Sequence, residues 1–200
     1  MEQALLISNA ILWVMVIALA ITVLALARQV GVLYERIAPA GALMVGHGPE
    51  VGDPAPVFEV DTLAGSRLKL GGNRDDARST LLFFLSNSCP ICETLIPVLH
   101  SIRKTEAAWL DVVLASDGTR EEHELFVENK GIGEFDYVLS TQLGLGYQIG
   151  KLPYAVLIDG SGKISAKGLT NNREHLESLF TAKELGVASI QDYVHGKDVA

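Results

Sequence analysis

From Ala4 to Ala27 the chain runs for 24 residues without a charged side chain, interrupted only by Ser8, Asn9 and Thr22, with Trp13 as its one aromatic. At about 1.5 Å per residue, a helix of this length is about 36 Å long and spans a bilayer with some tilt. A cleaved signal peptide is the alternative, and Ala25-Leu26-Ala27 has the small-x-small look of a cleavage site. The run is too long for a signal h-region, however, and only Met1, Glu2 and Gln3 precede it, with no Lys or Arg. The expectation is an uncut, single-pass N-terminal transmembrane anchor over residues 4–27. The nearest cations, Arg28 and Arg36, follow the helix, with Glu35 between them. On charge alone that asymmetry places the rest of the chain in the cytoplasm.

The remaining residues suit one domain. The whole chain has 200 residues, 48% hydrophobic and 20% charged, which excludes wholesale disorder. A formal net charge of −8 lacks the basic surface a nucleic-acid binder needs, so no nucleic-acid partner is expected. Two cysteines exclude a disulfide-stapled scaffold and any four-cysteine metal site. Residues 28–50 read as a juxtamembrane segment and linker. Val30, Leu33 and Ile37 continue a helical stripe, and Pro39, Gly41, Gly46, Gly48 and Pro49 then break it.

The domain is expected over residues 51–183, with a tail over 184–200. Pro56–Asp61 and Arg67–Leu70 read as strands, and the apolar run Thr80–Leu85 as a buried central strand. A helix over Pro90–Lys104, a strand over Asp111–Ala115 and a helix over Thr119–Lys130 follow, and Thr119 with Glu122 has capping-box spacing. Then come a strand over Asp136–Leu139 and a helix over Thr141–Tyr147. A hairpin of Tyr154–Asp159 with Lys163–Gly168 turns at Gly160-Ser161-Gly162, and Asn172–Ala182 closes as a helix. This α/β order is that of a thioredoxin-like fold, with an extra helix and short strand inserted before the hairpin.

Both cysteines fall in Cys89-Pro90-Ile91-Cys92, where the buried strand ends and a helix begins. A helix N-terminus offers free N–H groups and partial positive charge, which favour a thiolate, the nucleophile of disulfide exchange. Pro90 suits the first helical turn. Cys89 therefore reads as the attacking thiol and Cys92, one turn on, as the resolving thiol. A zinc site needs two further ligands, and His100, His123, His175 and His195 match no usual ligand spacing with the pair. No metal and no cofactor is expected. Pro97 lies inside the helix, eight residues after Cys89, the offset seen in thioredoxins. Lys151-Leu152-Pro153-Tyr154 precedes a strand at the place of the thioredoxin cis-proline. Pro90, Ile91, Leu152, Pro153 and Tyr154 are thus the candidate substrate-binding residues, Leu152 through its backbone.

Several positions depart from thioredoxins. Phe83 occupies the site of the buried acid six residues before the first cysteine, Ser88 that of an aromatic, and Glu93 that of a lysine. Glu93 suits the helix dipole but opposes thiolate formation at Cys89.

Val51-Gly52-Asp53-Pro54-Ala55-Pro56-Val57-Phe58 resembles the start of the TlpA-like and peroxiredoxin-like branch of thioredoxins. Taken whole, the chain resembles the MauD family of methylamine utilization proteins. The resembling stretches are Arg28–Arg36, Ser88–Cys92, Gly150–Tyr154, Ser116-Asp117-Gly118 and Lys167–Glu177. The resemblance implies a membrane-anchored thiol–disulfide oxidoreductase or isomerase assisting maturation of the methylamine dehydrogenase small (beta) subunit. That client is periplasmic, rich in disulfides, and carries a tryptophan tryptophylquinone made from its own side chains. A periplasmic domain follows from the resemblance, against the charge signal, and an electron donor or acceptor in the membrane is implied but not identified.

Other readings stay open. One is a TlpA-like reductant for apocytochrome cysteines in cytochrome c maturation. Others are a non-catalytic metal-delivery module and a membrane-tethered chaperone. A peroxidase is disfavoured, since its motif wants Pro and Thr where Leu82 and Ser86 stand. The acidic run Arg120–Glu128 and the group Arg173, Glu174, His175 and Glu177 read as solvated faces, and Phe58, Trp109, Phe126 and Phe180 as core.

Overall fold

The computed structural model describes residues 2–36 and 48–185. Two compact units divide within the linker. The first is one helix, α1 (Glu2–Arg36). Within it Leu6–Leu24 has a mean hydropathy of 2.4 and no buried residue, so the segment is long and apolar enough to cross a membrane. The Thr22 hydroxyl donates to the Ala18 carbonyl, which satisfies that polar group inside the helix. The expected helical stripe thus extends through Arg36; Ile37, the expected linker breakers up to His47 and the tail beyond Leu185 lie outside the described residues.

The second unit is built on a five-stranded sheet of order β5-β4-β3-β6-β7. Its strands are β3 (Ser79–Phe84), β4 (Leu110–Ser116), β5 (Asp136–Leu139), β6 (Tyr154–Ile158) and β7 (Ile164–Leu169). β3, β4 and β5 run parallel, and β6 is antiparallel to both β3 and β7. A hairpin of β1 (Phe58–Asp61) and β2 (Arg67–Leu70) forms a separate two-stranded sheet. The helices are α2 (Pro90–Thr105), α3 (Arg120–Lys130), α4 (Thr141–Gly146) and α5 (Arg173–Leu185).

Every residue of β3 is buried. Strand alternation sends Leu81, Phe83 and Leu85 to one face, where they pack with α2, α3 and α5 through Leu95, Leu99, Phe126 and Leu176. Leu82 and Phe84 face the other side, with Leu70, Leu143 and Tyr147 from the hairpin and α4. A continuous apolar run is what a strand covered on both faces requires. Of the four aromatics expected in the core, Phe126 is buried. Phe58 packs on the hairpin side, and Trp109 and Phe180 meet edge to face at 5.6 Å on the helix side.

Three local expectations are corrected. β3 begins and ends one residue earlier than its apolar run, because Ser79 N–H donates to Trp109 O and enters the ladder beside Leu110. Thr119 is the N-cap of α3 but makes no side-chain cap bond. The start of α3 is held instead by the His123 ring, whose Nε2 lies 2.8 Å from Asp117 O. At the β6–β7 turn, Asp159 and Lys163 leave the strands, because Asp159 Oδ1 accepts from Ser161 N, Ser161 Oγ and Lys163 N.

Gly162 closes that turn at φ +81°, and a Cβ there would run into the Gly72 backbone. Gly65 has a similar φ of +85°, but a Cβ there meets nothing within 4 Å. Gly65→Ala should cost only the left-handed backbone penalty, about 1–2 kcal/mol, and Gly162→Ala clearly more. Thermal unfolding of the detergent-solubilised full chain checks this; equal losses would refute the clash.

Candidate active site

The β3–β6 register sets Phe84 beside Tyr154, and the β6–β7 register sets Tyr154 beside Leu169. The motif that follows β3, the loop that precedes β6 and the end of β7 therefore share one end of the sheet. β4 and β5 also finish there, at Ser116 and Leu139.

Cys89 is the N-cap of α2, with an extended backbone at φ −94° and ψ 108°. Its Sγ accepts the Cys92 N–H at 3.3 Å. A helix with Pro90 at its first position and a cysteine as cap thus aims a backbone donor at the sulfur. The approach is fixed by a turn in which Cys89 N–H donates to Ser86 O. Cys89 is half-buried, whereas Cys92 is fully enclosed beside Leu95 and Leu99.

Burial pushes the Cys92 thiol up to about 12, and the hydrogen bond and charge at Cys89 push the same way, against the Ser86 backbone donor. Glu93 does not stand alone beside the motif: Lys130 of α3 pairs with it at 2.8 Å. The negative charge that the sequence places beside Cys89 is thereby paired within the fold.

Across the sheet end, the Leu152–Pro153 bond is cis. Pro153 is buried and its carbonyl accepts the Thr170 N–H at 3.1 Å. Among the described residues, neither the N–H nor the carbonyl of Leu152 has a hydrogen-bond partner within the chain. Leu152 and Ile91 are exposed apolar side chains at 38% and 44% of their surface. Tyr154 is placed differently. Its side chain packs into the cluster of Phe84 and Tyr147, on the sheet face away from α2. Only its backbone shares the thiol side, because successive residues of β6 alternate between faces. A cavity of about 440 Å³ near α3 and β5, lined by Leu63, Arg120 and Leu139 among others, includes neither cysteine.

The acidic run on α3 hides a functional-looking group that was not anticipated. His123 and Tyr137 are 1% and 2% exposed, and His123 Nδ1 lies 2.8 Å from the Tyr137 hydroxyl. Tyr137 shares the buried cluster of Cys92. Phe126, three residues beyond His123, marks the same inward face, so the helical phase carried the signal that this histidine is buried. Among the described residues no cluster of three or more His, Cys, Asp or Glu is arranged to hold a metal ion.

The profile of the AhpC/TSA family matches residues 51–183. The chain is 46% identical over 194 residues to the methylamine utilization protein MauD of Paracoccus denitrificans, covering 97% of this chain and 96% of the relative. It is 45% identical to the MauD of Methylorubrum extorquens, over 96% and 93% of the two chains. Among solved structures, a putative thiol:disulfide interchange protein DsbE from Chlorobium tepidum superposes with a TM-score of 0.60. That match is 23% identical, covers 68% of this chain and 99% of the other, and establishes the thioredoxin-like fold.

The two thiols differ enough in exposure to be told apart chemically. At pH 8 the reduced native chain should take one alkyl group from iodoacetamide, at Cys89, and a second, at Cys92, only after denaturation. Peptide mass spectrometry reads this directly, and native modification of Cys92 would contradict its enclosure.

Proposed function

Since the chain belongs to the MauD family, within the thioredoxin-like AhpC/TSA proteins, we propose that it is a membrane-anchored thiol–disulfide oxidoreductase. Its client is the methylamine dehydrogenase small subunit, whose disulfides it helps to form or reshuffle. The observation that carries the reading is the asymmetry of the pair. Cys89 is reachable and accepts the Cys92 N–H, and Cys92 lies enclosed behind it.

In the reductive direction the Cys89 thiolate attacks a client disulfide. A bond forms between Cys89 Sγ and one client sulfur, and the other client sulfur leaves with the electron pair. Cys92, once deprotonated, attacks Cys89 Sγ and expels the remaining client thiolate. The protein ends as the Cys89–Cys92 disulfide and the client as a dithiol. The oxidising direction is the reverse.

Ile91 and Leu152 flank the sulfur with apolar surface, and the unpartnered Leu152 backbone suits an extended client segment pairing beside Cys89. Pro90 and Pro153 shape the two sides, and Tyr154 contributes backbone only. An open apolar rim fits a polypeptide better than a small molecule. The α1 helix serves as an uncut anchor with the domain in the periplasm, where disulfides persist. The charge pattern of Arg28 and Arg36 argues the other way, and the compartment of the chemistry outweighs two cations.

Full-length protein in detergent should form a reversible Cys89–Cys92 disulfide in glutathione buffers. A potential of about −120 mV would make it an oxidant and one of about −270 mV a reductant. In cells that also express the small subunit, Cys92→Ser should accumulate a Cys89-linked adduct with that subunit, and Cys89→Ser should not. Normal maturation of the small subunit by the Cys89→Ser, Cys92→Ser double variant would overturn the reading in favour of a chaperone. A domain inaccessible to periplasmic thiol reagents in intact cells would overturn the orientation.

A further inference from the structure

Between the end of β3 at Phe84 and the cap of α2 at Cys89, the chain crosses the sheet end through Leu85, Ser86, Asn87 and Ser88. Whatever fixes this crossing also fixes where the attacking sulfur stands. We propose that Ser86 is the positioning residue of Cys89: its hydroxyl and its carbonyl together clamp the turn that presents the sulfur to a client. The proposal rests on the oxidoreductase reading above.

Both acceptors of Ser86 are spent on the two amides that lead into the helix. Its Oγ accepts the Ser88 N–H at 3.3 Å, and its carbonyl accepts the Cys89 N–H at 3.2 Å. A serine oxygen that bonds the amide two residues on closes a compact turn through its side chain. A carbonyl that bonds the amide three residues on closes a β-turn around the same atoms. The Ser88 hydroxyl lies 3.0 Å from the same Oγ. Ser88 is exposed and Asn87 is half-buried, so packing gives this turn little support and the polar clamp carries it.

Ser86 can act as a clamp because the residue before it belongs to the core. Leu85 is 1% exposed, and its N–H donates to Ala115 O of β4 at 2.9 Å. Its carbonyl accepts the Ser116 hydroxyl at 2.9 Å, and Ser116 is itself 7% exposed. The Ser116 carbonyl in turn accepts the Ser140 N–H at 2.9 Å, just beyond β5. Ser86 is therefore the first residue past a strand end that is tied to both β4 and the end of β5. On its helix side, Cys89 is bonded to the first turn of α2, through the Glu93 N–H on its carbonyl and the Cys92 N–H on its sulfur. Cys89 is thus held forward by α2 and backward by Ser86.

The backbone bond from Cys89 N–H to Ser86 O outlasts any substitution at position 86, whereas the Oγ bond does not. Without the Oγ, the Ser88 N–H is free and the turn gains conformations in which the sulfur is misplaced for attack. A nucleophile that spends less time in the productive geometry reacts more slowly, with no change in its chemistry.

The test mixes the reduced full chain in detergent with 5,5′-dithiobis(2-nitrobenzoate) in a stopped-flow instrument at pH 7. The first coloured thiolate reports attack by Cys89, and the second reports resolution by Cys92. Ser86→Ala removes the acceptor of the Ser88 N–H and should slow the first phase about tenfold, the loss of one hydrogen bond. Ser86→Thr keeps the oxygen and should restore the wild-type rate. Ser88→Ala removes the neighbouring hydroxyl but keeps the Ser88 N–H, so it too should react at the wild-type rate. A wild-type first phase in Ser86→Ala would overturn the proposal and leave the oxidoreductase reading intact. Slowing in Ser86→Thr equal to that in Ser86→Ala would overturn it as well, because the oxygen would not be what matters. Slowing in Ser88→Ala equal to that in Ser86→Ala would do the same, assigning the effect to the pair of hydroxyls and not to the turn. Failure of wild-type Cys89 to react, or of Cys92 to release the second thiolate, would overturn the oxidoreductase reading itself.

Discussion

The burial of β3 on both faces is the constraint on which the domain depends. Leu81 and Phe83 anchor one layer and Leu82 and Phe84 the other, each worth about 1.5–3 kcal/mol when fully enclosed. Because β3 pairs with β4 on one side and β6 on the other, its C-terminal end also fixes where Cys89 emerges and what stands opposite. The Cys89–Cys92 motif thus stands at the exit of the most buried strand.

That placement makes two chemically similar residues unequal. Cys89 caps α2 at the surface and Cys92, one turn on, points into the helix-side cluster. Enclosure protects Cys92 from outside reagents but raises the cost of its ionisation. On the same side of the sheet, the buried His123 and Tyr137 pair with each other at 2.8 Å. Their mutual hydrogen bond and the Asp117 carbonyl leave neither ring unsatisfied, which is the condition for keeping such a pair inside an apolar core.

Much of the fold was legible because its patterns are local. The apolar run of β3, the Gly-Ser-Gly turn before β7 and the proline after Cys89 each announce their element within a few residues. The shifts were also local in cause: Asp159 captured three donors, which ends β6 one residue early and starts β7 one residue late, and His123, not Thr119, secured the start of α3. The reading of α3 as a solvated acidic face went astray at its inward stripe. There His123 and Phe126 sit amid exposed charges, and composition outweighed helical phase.

By itself the sequence determined that an apolar N-terminal helix precedes an α/β domain and that two cysteines sit one turn apart at a strand–helix junction. Hydropathy and short-range spacing suffice for both. Only the tertiary structure decided that Lys130 pairs with Glu93, that Tyr154 turns its ring away from the thiols, and that His123 and Tyr137 meet in the interior. Those facts depend on which faces of α3, β5 and β6 pack where. That is set by long-range burial and strand register, which no local window of residues contains.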